Sequence, residues 1–131
     1  MSVGLLLVMH EKLGGQLLET LAGTLGELPL QVAVLDVRRV QSAEVLTRQG
    51  QKMVENLEQG EGVLILTDAF GATPSNIANQ LGLLCARTAV VAGVNLPMLM
   101  RICNYSHYSL PQLAAAAVEG GQRGILLCPK P

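Results

Sequence analysis

The amino-acid sequence predicts an open, doubly wound α/β fold, in which a mainly parallel sheet carries helices on both faces. Four short apolar runs are continuous rather than alternating, which is typical of strands buried on both faces. Helix-length segments separate these runs, and this alternation favours parallel strands joined by right-handed crossovers. The chain has 131 residues, a length that suits one domain with its own core. We therefore expect a single domain over residues 1–131.

The hydrophobic pattern assigns the elements in chain order. Strands are predicted over residues 4–9, 30–37, 62–67 and 89–94. Helices are predicted over residues 13–25, 42–58 and 74–84, with Ser42 as a candidate N-cap. Beyond them we expect a short helix over 98–103, a loop over 104–111, a helix over 113–119 that ends at Gly120-Gly121, and a last short strand over 124–128.

Composition excludes several classes of function. Only 2% of the residues are aromatic, the net charge is -1, and no basic cluster could neutralise a run of phosphates, so we do not expect a nucleic-acid partner. No segment approaches the length of about 18 apolar residues that a membrane span requires, so we expect no direct membrane insertion. The three cysteines form no CxxC pair and are expected to be reduced thiols of a cytoplasmic protein.

The candidate site lies where the first and third strands end. In an open α/β sheet, ligands bind beyond the carboxyl ends of the strands, where the strand order reverses. A strand order of 2-1-3-4 would bring His10, after the first strand, next to Asp68, after the third. A carboxylate beside an imidazole fixes the tautomer of the ring and leaves the far nitrogen free to act as a nucleophile. We therefore predict His10 and Asp68 as the catalytic pair.

The segment after Asp68 is predicted to bind an anion. Thr73 followed by Pro74 is typical of an N-cap and the first helical residue, and Gly71-Ala72 permits a tight turn before them. The free N–H groups and positive dipole end of such a helix favour phosphate. Gly71, Ala72 and Thr73 are therefore the candidate phosphate-binding residues.

Other common sites are absent from the sequence. It contains no dinucleotide-binding glycine motif and no P-loop, and Gly14 interrupts the zinc motif that His10-Glu11 would open. The spacing of histidines and cysteines suits no metal, so neither a metal nor a cofactor is expected. The second histidine, His107, has no comparable neighbours and is expected to be structural or exposed.

Three segments together resemble the IIA component of the mannose-type phosphotransferase system. They are His10 after the first strand, TDAFGATPSNIA after the third, and AGVNLPML after the fourth. The resemblance covers essentially the whole chain. It implies that the phosphoryl group is carried on His10, that Asp68 holds the imidazole, and that Thr73 occupies a position commonly filled by Ser or Thr.

The resemblance also implies the partners and a reaction sequence. The carrier protein HPr would donate a phosphoryl group to His10, and a IIB protein would receive it, in a sugar phosphotransferase system. The family forms dimers, often with the last strand exchanged between subunits, and residues 124–128 are the candidate for that strand.

Two alternatives remain open at the level of sequence. The segment MHEKLGG differs from the commoner T-H-G pattern around the histidine of the sugar-transporting members. The first alternative to sugar uptake is therefore a stand-alone regulatory module whose phosphorylation state controls partner binding. A receiver-like domain phosphorylated on Asp68 is the weaker alternative, because no acidic cluster for Mg²⁺ accompanies this residue.

Overall fold

A four-stranded parallel sheet forms the centre of the protein, in a computed structural model that describes residues 2–129. Its strands are β1 (Gly4–His10), β2 (Val32–Val37), β3 (Val63–Thr67) and β4 (Thr88–Ala92). Their order across the sheet is β2-β1-β3-β4. The predicted α/β class and strand order are thereby confirmed. The predicted domain of 1–131 also includes Met1, Lys130 and Pro131, which lie outside the described residues.

Five helices cover the two faces of the sheet. They are α1 (Leu13–Leu25), α2 (Ala43–Leu57), α3 (Thr73–Leu84), α4 (Leu96–Asn104) and α5 (Leu110–Arg123). Apolar residues of α1, α4 and α5 share one buried cluster, and those of α2 and α3 share the other. In residues 2–129, no helix combines the length and the apolar character that crossing a bilayer would require.

Strand β1 supplies side chains to both cores. Leu5, Leu7 and Met9 enter the cluster beneath α1, α4 and α5, whereas Leu6 and Val8 enter the cluster beneath α2 and α3. This division follows from the two-residue period of a strand. Because both faces are covered, the strand is continuously apolar, and His10 at its end is its one exposed residue.

Helix α4 begins two residues earlier than predicted. Asn95 is its N-cap, and the Asn95 side chain accepts a hydrogen bond from the backbone N–H of Met98 at 2.9 Å. Pro97 therefore lies in the first turn, where its missing N–H costs no intrahelical bond. The apparent break at Asn95-Leu96-Pro97 is a helix start.

Helix α5 is longer than predicted at both ends. It begins at Leu110, and its N-cap Ser109 donates its backbone N–H to the side-chain oxygen of Gln112. It continues through Gly120-Gly121, where the sequence predicts an end. A Cβ at Gly120 would lie 2.5 Å from Cβ of Arg101 in α4. The glycines therefore allow α4 and α5 to approach closely rather than ending the helix.

The predicted last strand over residues 124–128 is not a strand in the single chain. The segment after α5 is irregular, and Ile125, Leu126 and Leu127 are exposed. A strand requires a neighbouring strand with which to exchange backbone hydrogen bonds. The backbone N–H of Ile125 instead donates to the carbonyl of Gln122, which extends the helical turn.

Candidate functional site

His10 and Asp68 meet at the carboxyl edge of the sheet. β1 and β3 are paired in parallel, so the residues that follow them emerge side by side. Nδ1 of the His10 ring lies 2.7 Å from Oδ2 of Asp68. The same Oδ2 accepts the backbone N–H of His10 at 2.8 Å, and Oδ1 accepts the backbone N–H of Ala69 at 2.9 Å. The Asp68 carboxylate is therefore held in place by three hydrogen bonds.

The surroundings of Asp68 favour its ionised form. Burial by itself raises the pKa of this carboxyl, but the hydrogen bonds from the His10 backbone, the His10 ring and the Ala69 backbone outweigh burial and lower the pKa overall. An ionised carboxylate can only accept hydrogen bonds, so the hydrogen on Nδ1 must point to Asp68. In the neutral imidazole, Nε2 then carries the free lone pair.

The two side chains differ sharply in accessibility. His10 keeps 50% of its side-chain surface exposed, whereas Asp68 keeps 10%. The carboxylate is thus shielded behind the ring that it orients. Such an arrangement holds an imidazole still while leaving its far nitrogen open to a partner.

Helix α3 begins one residue earlier than predicted. Ala72 is the N-cap, and Thr73 and Pro74 are the first two helical residues, so the predicted N-cap role of Thr73 is corrected. Pro74 does not mark the exact start, because no amide of the first turn has an intrahelical acceptor. The backbone N–H groups of Thr73 and Ser75 remain without intrahelical partners for the same reason.

The three predicted phosphate-binding residues, Gly71, Ala72 and Thr73, have different places in the turn before α3. Gly71 has a φ of +88°, a left-handed conformation that favours glycine. The backbone N–H of Ala72 donates to the carbonyl of Ala69 at 3.2 Å. Ala72 therefore shapes the turn, and Thr73 lies in the cleft beside His10.

An open cleft of about 730 Å³ contains the exposed side of His10. Besides Thr73, its walls include Glu11 and residues of the turn after β2, namely Arg38, Arg39 and Gln41. No sequence motif singles out Arg38, Arg39 or Gln41. Their position after β2, at the same carboxyl edge, was the signal that could have found them.

Glu11 occupies an unusual backbone conformation directly after His10. Its φ is +48°, in the left-handed region, and its backbone N–H donates to the carbonyl of Val37 at 3.1 Å. Non-glycine residues adopt this conformation infrequently. The hydrogen bond fixes the end of β1 against the end of β2.

His107 lies apart from this pair. It follows α4, in the loop before α5, and its ring packs edge-on against Tyr108 with centroids 5.1 Å apart. Over residues 2–129, no three His, Cys, Asp or Glu side chains are grouped closely enough to hold a metal ion.

Comparison with known proteins identifies the family. The EIIA-man family, described as "PTS system fructose IIA component", matches residues 4–118 of this chain. The chain belongs to the EIIA-man family. The family resemblance found in the sequence is therefore confirmed, and the protein is a member of a family of phosphotransferase-system (PTS) components.

Relatives of this EIIA-man chain include proteins whose names specify a sugar. It is 32% identical over 127 residues to the PTS system mannose-specific EIIAB component of Escherichia coli (strain K12). The aligned region covers 95% of this chain and 39% of that protein. It is 32% identical over 114 residues to the PTS system sorbose-specific EIIA component of Lacticaseibacillus casei, covering 85% of this chain and 80% of that protein. The chain thus spans 39% of the length of the EIIAB protein.

Solved structures share the fold of this EIIA-man chain. The mannose/sorbose specific IIA subunit of the phosphotransferase system from Enterococcus faecalis superposes with a TM-score of 0.89 at 23% identity, covering 100% of this chain and 98% of that one. The phosphotransferase system component EIIA from Streptococcus agalactiae superposes with a TM-score of 0.84 at 22% identity, covering 95% of each chain.

Proposed function

We propose that this EIIA-man chain is a phosphohistidine carrier, which accepts a phosphoryl group from phospho-HPr on His10 and passes it to a IIB component of a sugar phosphotransferase system. The observation that carries the proposal is the His10–Asp68 pair, in which a nearly buried carboxylate binds Nδ1 of a half-exposed imidazole at 2.7 Å. Family membership supports the same reaction class.

The pair suits nucleophilic transfer through Nε2. The lone pair of Nε2 forms the new bond to phosphorus while the bond from phosphorus to the donor's leaving nitrogen breaks. Nδ1 keeps its proton, so the phosphorylated ring becomes cationic, and the Asp68 carboxylate stabilises that charge. Transfer to IIB reverses the step, and the imidazole returns to its neutral form.

The start of α3 supplies donors for the transferred group. Phosphoryl transfer depends mainly on positioning and on donors aimed at the equatorial oxygens. The backbone N–H and hydroxyl of Thr73, on the wall of the cleft, are suited to this role, and Gly71 permits the turn that leads to them. In this proposal Ala72 contributes the shape of the turn rather than its amide.

Exposed apolar side chains beside the site support a protein as donor and acceptor. Phe70, two residues after Asp68, is 84% exposed, and Val40, two residues after Arg38, is 92% exposed. They lie on the two turns that follow the strands flanking β1, where they are available to contact a protein partner. HPr and IIB would dock in turn on this surface.

We also propose that the chain forms a homodimer. Ile125, Leu126 and Leu127 are 76%, 78% and 100% exposed, which leaves an apolar segment without a partner in the single chain. Strand exchange over residues 124–128 would bury it against a second copy. Light scattering at micromolar concentration tests this, because a clean 13.8 kDa monomer would contradict the proposal.

The carrier role is tested by reconstitution. The purified chain is incubated with phosphoenolpyruvate, enzyme I and HPr, and its intact mass is measured before and after addition of a IIB protein. We expect one phosphoryl group on the wild type and on His107→Ala, none on His10→Ala, and loss of the group when IIB is added. A phosphoryl group on His10→Ala would contradict the assignment of the site. Retention of the group in the presence of several IIB proteins would favour the regulatory alternative.

A further inference from the structure

Two adjacent arginines lie on the opposite side of His10 from Asp68. His10 is paired in register with Val37, the last residue of β2, and Arg38 and Arg39 follow it directly. Adjacent strands are about 4.8 Å apart, so the arginine backbone lies beside the end of β1. β2 and β3 thus place opposite charges on the two flanks of β1.

Both arginines belong to the cleft that contains the exposed side of His10. Each is exposed, and each lines the cleft together with His10 and Thr73. Their backbone is fixed by a turn in which the N–H of Gln41 donates to the carbonyl of Arg38 at 3.1 Å. The turn therefore fixes the backbone from which both side chains extend.

Neither arginine forms an ion pair within the described part of the chain. Over residues 2–129, the ion pairs involve Arg48, Arg101, Arg123 and His10, and none involves Arg38 or Arg39. Glu11 lines the cleft but lies within 4.0 Å of neither guanidinium, and Asp68, beside His10, is bound to the His10 ring. The two guanidinium groups of this cleft therefore have no carboxylate partner among residues 2–129.

We propose that Arg38 and Arg39 bind the oxygens of the phosphoryl group on His10. This inference rests on the proposed carrier function. A guanidinium presents paired N–H donors that match two phosphate oxygens at once. Asp68 binds Nδ1, so the phosphoryl group would be attached at Nε2, on the part of the ring exposed to the cleft. The arginines would bind the group while it is attached and offset its charge while it is transferred.

The inference is tested without any protein donor. Phosphoramidate is used as a small phosphoryl donor: Nε2 attacks phosphorus, the P–N bond of the reagent breaks, and ammonia leaves. Its rate of reaction is followed by intact mass. The pKa of the attached phosphoryl group is then measured by ³¹P NMR as a function of pH. Wild type is compared with R38Q/R39Q.

A matched control removes the same two charges elsewhere. R48Q/R123Q alters two exposed arginines. Over residues 2–129, each forms an ion pair only within its own helix, Arg48 with Glu44 and Arg123 with Glu119, and none of these residues lines the cleft. We expect R38Q/R39Q to slow phosphorylation about tenfold and to raise the pKa of the phosphoryl group by roughly 0.5 or more, because nearby cations favour its dianion. R38K/R39K should keep most of the pKa effect, since it keeps the charges.

The outcomes separate the two proposals. If the wild type is phosphorylated on His10 and R38Q/R39Q behaves as R48Q/R123Q does, the arginine inference is overturned while the carrier role stands. If the wild type gains a phosphoryl group with neither phosphoramidate nor phospho-HPr, the carrier role fails and the inference fails with it. Unchanged circular dichroism of the variants verifies that the fold is retained.

Discussion

One oxygen of Asp68 binds both the backbone and the ring of His10. Oδ2 lies 2.8 Å from the backbone nitrogen and 2.7 Å from Nδ1 of the same residue. The ring is thus oriented relative to its own main chain through a single carboxylate. The orientation of the ring requires a hydrogen-bond acceptor at the position of Oδ2. An asparagine amide would supply an acceptor there only if its oxygen, and not its NH₂ group, occupied that position.

Asp68→Asn is expected to slow phosphoryl transfer by roughly two orders of magnitude or more, with little change in fold. The substitution removes the charge that stabilises the cationic ring and weakens the preference for hydrogen on Nδ1. Rapid-quench kinetics with phosphorylated HPr measure the rate. An unchanged rate would mean that the contact between the two side chains does not contribute to transfer.

Acid is expected to remove the stability that Asp68 contributes. The pKa of Asp68 is lowered in the folded chain, whereas in the unfolded chain it is about 3.9. The unfolded chain therefore binds more protons in this range, and the free energy of unfolding rises with pH. The contribution is present above about pH 4 and is lost as the pH falls through the folded pKa.

Urea unfolding from about pH 6 down to about pH 3 tests this sign. Asp68→Asn should show a shallower loss of stability in acid than the wild type. Glu61→Gln, which neutralises an exposed carboxylate, is the control and should follow the wild type. Equal acid dependence in wild type and Asp68→Asn would contradict the prediction.

The sequence was sufficient for the strand order and for the meeting of His10 with Asp68. Continuous apolar runs that alternate with helices constrain the topology, and a parallel sheet brings strand ends together at one edge. The first residues of α3 and α4 could not be predicted from Pro74 and Pro97, because proline is tolerated at any position of a first turn. Arg38 and Arg39 were missed although the predicted strand order already placed the end of β2 beside His10, because exposed arginines after a strand carry no motif of their own.

The C-terminal region shows a different limit of sequence reasoning. Gly120-Gly121 is compatible with a helix end and with a close helix contact, and only the presence of α4 decides between them. The segment over residues 124–128 has the composition of a strand but lacks a pairing strand in the single chain. Both features depend on neighbours that local patterns do not specify.

Gly120→Ala and Gly23→Ala are expected to change stability in opposite directions. An added Cβ at Gly120 would lie 2.5 Å from Cβ of Arg101, whereas one at Gly23 on α1 would meet nothing within 4 Å. We expect Gly120→Ala to lower the free energy of unfolding by about 1–3 kcal/mol and Gly23→Ala to raise it by about 0.5–1 kcal/mol. Denaturant unfolding measures both, and a stabilising Gly120→Ala would contradict the close contact between α4 and α5.

Phe70→Ala is expected to impair transfer between proteins while sparing the chemistry of His10. Phe70 follows the catalytic candidate Asp68 by two residues and is 84% exposed, so its loss should remove an apolar contact with the docked partner. We expect the second-order rate with phosphorylated HPr to fall about tenfold, which corresponds to about 1.4 kcal/mol, and the rate with phosphoramidate to stay unchanged. Leu83→Ala is the matched control, because Leu83 is 83% exposed but lies near the far end of α3. Equal losses in Phe70→Ala and Leu83→Ala, or a parallel loss with phosphoramidate, would show that Phe70 does not act through docking.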